Sequence, residues 1–332
     1  MTVAAAGLVL SACGTSPASG GTPIANKPNA QELTRDMVKK EQDVKSAAMH
    51  GSIDLRVDDQ QTKDNVKATI ALGTKSDMRN DADQRFSMSL KGDLDGTMNG
   101  SAIKGGMDLD LVLVVKDIFV RLNKLESPEI DQSPFGGAVK KISGKWYIFK
   151  DAVEQAKSLA KEQAQGASFQ GLADGLAGDN ATPAQKQQMR DLVARTNFFE
   201  SSVDDTTASV DGTDTYKVAV KLNKPEIVNF AKESAKIRGQ EMSADEVRNM
   251  EKGLGEVDFQ GTLYIGVQDH LLYRAAGTVT PVPGSDAAKN GNFLVNFDAT
   301  FSGYNQDQKI TAPANAEPFD LQKVLGADGA AQ

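Results

Sequence analysis

A chain of 332 residues with one cysteine and two histidines has few routes to nucleophilic, redox or transition-metal chemistry. A single thiol, Cys13, cannot close an intramolecular disulfide, and a thiolate metal site needs several such ligands. A catalytic cysteine needs a base beside it. The only imidazoles are His50 and His270, and neither sits in a nucleophile motif. Both read as solvated or capping residues, His50 at a strand entry and His270 in a turn. No GxSxG elbow, phosphate-binding loop or GxGxxG fingerprint occurs. Asp93 and Asp95 in GDLDGTMNG share the opening spacing of a calcium loop, but the later ligands and the terminal Glu are missing, so a polar hairpin turn is the reading. Asp204-Asp205 is an ordinary feature of an acidic surface. The sequence therefore nominates no catalytic, cofactor-binding or metal-ligating residue, and the expectation is a protein that is not an enzyme.

The position of the lone thiol is more informative. Val3 to Leu10 (VAAAGLVL) is a short apolar run, followed by the small residues Ser11 and Ala12 and then Cys13. That order is a secretory h-region ending in a small-residue cleavage site. Leu10-Ser11-Ala12-Cys13 resembles the bacterial lipobox. The resemblance implies cleavage between Ala12 and Cys13, a diacylglyceryl thioether and an added acyl chain (palmitate) on Cys13, and a protein tethered to the extracytoplasmic face of the cell membrane. No Lys or Arg precedes Cys13, so residues 1–12 read as an incomplete signal peptide whose start lies upstream. The apolar run is far shorter than the ~20 residues a membrane-spanning helix needs, whereas two or more acyl chains give a stable anchor. Residues 13–30, rich in Gly, Ser, Thr and Pro, read as a lipidated flexible tether that buries too little apolar surface to offset its ordering entropy. In a bacterial lipoprotein the acceptor-like triplets Asn99-Gly100-Ser101 and Asn180-Ala181-Thr182 carry no weight.

The remaining ~300 residues suffice for one large or two smaller cores. The chain is 39% hydrophobic and 25% charged, with a net charge of -8, and residues 1–12 contribute none of that charge. An acidic chain without a basic stripe argues against nucleic acid as a partner.

Helix ends are marked by capping residues. Asn29 to Glu32 predicts a helix reaching about Ala48, with Leu33, Met37, Val44 and Ala48 on one stripe. Asp151 to Glu154 opens another, with Val153, Ala156, Leu159 and Ala160 inward. Thr182-Pro183-Ala184-Gln185 combines a capping pair with Pro at the first helical position, and Met189, Leu192 and Val193 form its buried side. Pro225 starts a helix carrying Ile227, Phe230 and Ala231. Ser243 to Glu246 caps one carrying Val247, Met250 and Leu254. Gly166 to Ala181 reads as a loop. Strands are more numerous and show period two: 53–57, 66–72, 86–90, 107–115, 218–222, 259–267 and 293–301. Strict alternation with short connections predicts antiparallel sheet with one face wet and one covered, and few helical insertions point to an α+β fold.

The order of these elements, with SAAMHGSIDLRV (46–57), DIFVRLNK (117–124), GKWYIF (144–149), YKVAVKLNKPEIVNFA (216–231), the hairpin GTLYIGVQDHLLYRAAGTVTP (261–281) and the final NFDATFSGYNQDQKITAPANA (296–316), resembles the LolA-like superfamily of lipoproteins, in particular the mycobacterial LppX and LprG type. The resemblance implies one domain over residues 31–320, a curved antiparallel half-barrel with helices packed in its concave face, and a short tail at 321–332. It also implies a lipid or acylated ligand carried in an apolar cavity. On that reading the candidate lining is Leu109, Leu111, Leu113, Trp146, Phe259, Leu263, Phe293, Phe297 and Phe301. The same residues can form an ordinary filled core beneath the helices, which would leave a structural or regulatory envelope domain instead. The residue types do not separate the two, and the oligomeric state is not legible.

Overall fold

The computed structural model describes residues 21–59, 62–80, 82–128, 130, 134–151, 176 and 181–320. Twelve strands form one sheet in the order β12-β6-β5-β4-β3-β2-β1-β11-β10-β9-β8-β7. In chain order they are β1 (Ser46–Asp59), β2 (Asp64–Asp77), β3 (Arg85–Met98), β4 (Ser101–Val114), β5 (Asp117–Glu126), β6 (Trp146–Phe149), β7 (Phe199–Val210), β8 (Thr213–Leu222), β9 (Val257–Gly266), β10 (Leu272–Pro281), β11 (Asn292–Ser302) and β12 (Glu317–Pro318). Every pairing is antiparallel except the two-residue β12–β6 ladder. Among the described residues the helices are α1 (Ala30–Gln42), α2 (Pro134–Ile142), α3 (Pro183–Arg195), α4 (Lys224–Ile237), α5 (Ala244–Glu256) and α6 (Asp286–Asn290). This is the α+β, mainly antiparallel arrangement that the alternation predicts, in the open, curved sheet that the resemblance implies.

The local chemistry explains the elements. β1 to β4 are each 14 residues long. The usual strand is about 5–6 residues, and the inherent twist makes a ladder of such length coil. The β3–β4 turn is Asn99-Gly100 and the β7–β8 turn is Asp211-Gly212, all four residues at positive φ, as a tight two-residue hairpin requires. Asn29 caps α1 by accepting from the backbone N–H groups of Gln31 and Glu32. Thr182 with Gln185, and Ser243 with Glu246, close the two capping boxes at the starts of α3 and α5.

The structure departs from the sequence-based expectations at four places. α1 ends at Gln42, not Ala48, because the following residues are drawn into the sheet: the Lys45 N–H donates to Asn305 Oδ1 at 2.9 Å and the Ser46 hydroxyl to the Gln306 carbonyl at 2.6 Å. Edge strand β7 shows no clean alternation because its register slips between Val203 and Thr207. Helix α2 is not among the expected helices, although the order Ser133-Pro134 is that of a capping residue and a first-position proline. Residues 21–27, read as part of a free spacer, lie along the outer edge of β7: Pro23 bridges Thr206, the Ile24 N–H donates to the Asp205 carbonyl, and Lys27 pairs with Asp205. The signal and lipidation residues Ala12 and Cys13, the expected helix from 152 onward, most of the 166–181 loop and the 321–332 tail lie outside the described residues.

Two clusters of fully buried side chains sit at the β7–β9 end. Leu33 of α1 packs on Val218, Val220 and Ile265. Met189, Leu192 and Val193 of α3 pack with Phe198, Phe230 and Ile237, which ties α3 to α4. Each such side chain contributes about 1.5–3 kcal/mol of apolar burial.

Candidate functional site

Because directly paired residues of an antiparallel ladder project to the same side, the register sorts every strand residue onto one of two faces. One row runs Gly277–Phe297–Ile53–Ile70–Gly92–Met107 across β10, β11, β1, β2, β3 and β4. The next runs Ala299–Gly51–Leu72–Leu90–Leu109–Leu122, and another Phe301–Met49–Thr74–Met88–Leu111–Val120–Tyr147. Phe293 pairs with Val57, Leu113 with Phe86, Leu263 with Ala275 and Phe259 with Val279. Eight of the nine nominated residues, Leu109, Leu111, Leu113, Phe259, Leu263, Phe293, Phe297 and Phe301, therefore share one apolar face.

Trp146 does not. In the WYIF strand it pairs with Arg121, which pairs with Asp110, so its side chain lies on the opposite, polar face. There the Arg121 guanidinium stacks over its ring at 4.7 Å and donates to Asp110 Oδ2 at 2.7 and 3.0 Å. The aromatic side chains of β6 on the apolar face are Tyr147 and Phe149, with Phe319 packed against both rings.

The apolar face has two unlike ends. Around β7–β11 it is filled. α1 covers β8 and β9, where Val218 and Ile265 have no exposed surface. Gly261 and Gly277, paired across β9 and β10, leave a trough into which aromatic rings lie: a Cβ at Gly277 would stand 2.7 Å from the Phe297 ring. Phe259 stacks on Phe297 at 5.9 Å and 7°, and Phe199 lies 6.0 Å from Phe259. Around β1–β5 no described apolar residue of this face is fully buried. Ile53 is 44% exposed, Ile70 39% and Met107 36%, and Leu94 and Met98 are exposed beside them. A Cβ at Gly92, in the middle of that row, would meet only one atom, at 4.0 Å. Alternation marked these strands as half-apolar; which stretch lies uncovered depends on where the helices dock, which periodicity does not encode.

The polar face carries ion pairs between neighbouring strands: Lys91 with Asp108 at 3.3 Å, Arg121 with Asp110, and Arg274 bidentate to Asp298 with its guanidinium 5.3 Å from the Tyr264 ring. Asn123 donates to both Asp108 and Asp110, and that hydrogen bond is the main cause of the lowered Asp108 pKa.

A clamp joins the end of α1 to the β9–β10 turn and to β11. Asp36 accepts from His270 Nδ1–H at 2.8 Å, which lowers the Asp36 pKa. Glu41 accepts from the Leu272 N–H and the Tyr304 hydroxyl, and burial raises its pKa. Tyr304 shares its single hydroxyl proton between Glu41 and the Leu272 carbonyl, and its ring meets Tyr273 edge-on at 5.6 Å. Burial is the main cause that raises both phenols, Tyr273 to about 12. These groups satisfy one another, and the arrangement fixes the helix that covers the filled end. Among the described residues, no group of three or more His, Cys, Asp or Glu side chains is placed to hold a metal ion, and no helix is long and apolar enough to cross a membrane.

No protein-family model and no curated protein matches the chain. Among solved structures, the Mycobacterium tuberculosis lipoprotein LppX aligns at 10% identity over 85% of this chain and 97% of its own, with a TM-score of 0.34. A DUF1329-family protein from Desulfovibrio piger aligns at 8% identity over 86% and 96%, with a TM-score of 0.21. A DUF1849 protein from Brucella abortus, described as β-barrel-like, aligns at 10% identity over 78% and 99%, with a TM-score of 0.16. At scores of this size the reading of the site rests on its own geometry.

Proposed function

We propose that the chain is a membrane-anchored, extracytoplasmic binding protein rather than an enzyme, and that the uncovered apolar face of β1–β5 holds an acyl chain. The observation that carries this reading is the exposed row Ile53–Ile70–Met107, flanked by Leu94 and Met98 and continuous with the packed end of the same face. Exposed apolar areas of this kind mark binding sites. An acyl chain laid along them gains about 0.8 kcal/mol per methylene withdrawn from water. Leu10-Ser11-Ala12-Cys13 supplies the anchor, and the segment 21–27 along the β7 edge fixes where the tether joins the domain.

The test is native extraction of the full chain followed by mass spectrometry of its organic extract. A stoichiometric acyl lipid, lost from a variant carrying I53S, I70S and M107S, supports the reading. An empty wild-type protein that takes up no added fatty acid contradicts it. Intact mass of the protein made in a bacterial host with its complete leader tests the anchor: cleavage before Cys13 with added diacylglyceryl mass is expected, and an uncut, unmodified N-terminus contradicts it.

The filled β7–β11 end favours a second reading, in which the face is a core and the domain binds an envelope protein. An empty, tightly folded domain would point there.

A further inference from the structure

The polar face holds a separate feature that the acyl-chain reading does not use. One row crosses it as Arg274–Thr300–His50–Gly73–Ser89–Asp110–Arg121–Trp146, one residue from each of eight adjacent strands. At its middle stands Gly73, where the row loses its side chain. The His50 ring leans over that position, with Nδ1 3.2 Å from where a Cβ would be, and Ser89 Oγ lies 3.9 Å from it. A cavity of about 460 Å³ opens there, lined by Gly73 and Ser89 together with the cationic side chains of Lys75, Lys91 and Arg121 and the rings of His50 and Trp146. That volume is in the range of small-molecule sites, about 300–1,000 Å³.

The charge around the slot is lopsided. Among the described residues the one carboxylate that lines it, Asp110, accepts two bonds from Arg121 and one from Asn123, all on Oδ2. Lys91 is shared with Asp108, which Asn123 also satisfies. Lys75 and His50 are exposed, and the Lys75 ammonium and the His50 imidazole make no hydrogen bond or ion pair among the described residues. Lys75 sits two residues beyond Gly73 on β2, and Lys91 two residues beyond Ser89 on β3 in the other direction. Both residues line the cavity, one from each end, and the Lys91 ammonium is paired with Asp108. Two lysines, an imidazole and the hydroxyls of Ser87 and Ser89 thus line one hollow in a chain whose net charge is -8. Convergent donors without a matching acceptor are the chemistry of an anion site.

We propose that this slot binds a phosphate group, with its oxygens between Lys75, His50 and Ser89 over Gly73 and with Lys91 on the cavity wall. The group can belong to a soluble phosphate ester or to a phospholipid headgroup, and the two are separated by experiment. Isothermal titration of the full chain with inorganic phosphate and with glycerol 3-phosphate forms one arm. Co-sedimentation with phosphatidylglycerol-containing vesicles, against pure phosphatidylcholine vesicles, forms the other. The variants are Lys75→Gln, which is exposed, and Gly73→Ala, whose new methyl fills the slot; Lys236→Gln, at an exposed site on α4 outside the cavity lining, is the control. Thermal melts verify that each variant folds. Saturable binding in either arm that weakens at least tenfold in both slot variants and stays unchanged in the control supports the proposal, and the arm that responds identifies the source. No saturable binding in either arm overturns it, as does binding that the two slot variants leave intact. The slot lies on the face opposite the acyl site, so the I53S/I70S/M107S variant retains phosphate binding, and failure of one reading leaves the other measurable.

Discussion

The two ends of the apolar face are built from the same kinds of residue and end in opposite states. At β8–β9, Val218, Val220 and Ile265 alternate with polar neighbours and lie fully buried under α1. At β1–β4, Ile53, Ile70 and Met107 alternate in the same way and stay exposed. Strand chemistry does not account for the difference. It comes from whether a helix is fastened over the strand, and the His270–Asp36 and Glu41–Leu272 bonds fasten α1 over one end only. A face covered by its own helix is core; the same face without one is available to a ligand.

The largest test of that contrast is a matched pair of truncations. Ile265→Ala removes a side chain with no exposed surface and is expected to destabilise the fold by about 3 kcal/mol, whereas Ile70→Ala, 39% exposed, costs under about 1 kcal/mol. Urea denaturation of both measures it, and equal losses would erase the distinction.

A second pair uses the two glycines of one row. Gly277→Val drives its side chain against the Phe297 ring and is expected to cost about 1–3 kcal/mol, while Gly92→Val meets open space and keeps the wild-type Tm within a few degrees. The same Gly92→Val substitution places bulk within the open row and should reduce acyl-chain uptake.

The charges that secure the two ends respond to pH with opposite sign. At the end of β2, paired hydrogen bonds from Arg79 pull Asp77 down to about 2. Its folded-state pKa lies below the unfolded value, so its stabilisation is present above pH ~4 and disappears as pH falls toward 2. The contribution is at most about 2 kcal/mol, reduced by the partial exposure of Arg79. Asp77→Asn should flatten acid unfolding in that window. Glu41, raised by burial, works the other way. The folded state holds its proton more tightly, so stability falls as pH rises through the unfolded carboxylate value and on to the higher folded one. Stability curves of Glu41→Gln between pH 4 and 7 should lose that slope, the smallest of these effects.

Much of the scaffold was legible because its signals are local. Period-two alternation located the cores of β1–β4, β8, β9 and β11, and the Thr182 and Ser243 capping boxes located α3 and α5. What escaped depends on distant partners. The end of α1 is set by residues near 305, some 260 positions away. Strand β7 hides behind a register slip at Val203. Trp146 was grouped with the apolar face on residue type alone, although counting its alternation against Arg121 would have assigned it to the polar side. The Gly73 slot was invisible because its members come from separate strands and are individually unremarkable.

The central claim is that an acyl chain lies on the open end of the face and not on the filled one. Photolysis of the full chain with a diazirine-bearing fatty acid, followed by peptide mapping, tests it directly. The account predicts crosslinks concentrated at Ile53, Ile70, Leu94 and Met107, competed away by unlabelled fatty acid. Crosslinks confined to β8–β9 or to the polar face, or scattered and insensitive to competitor, would contradict it.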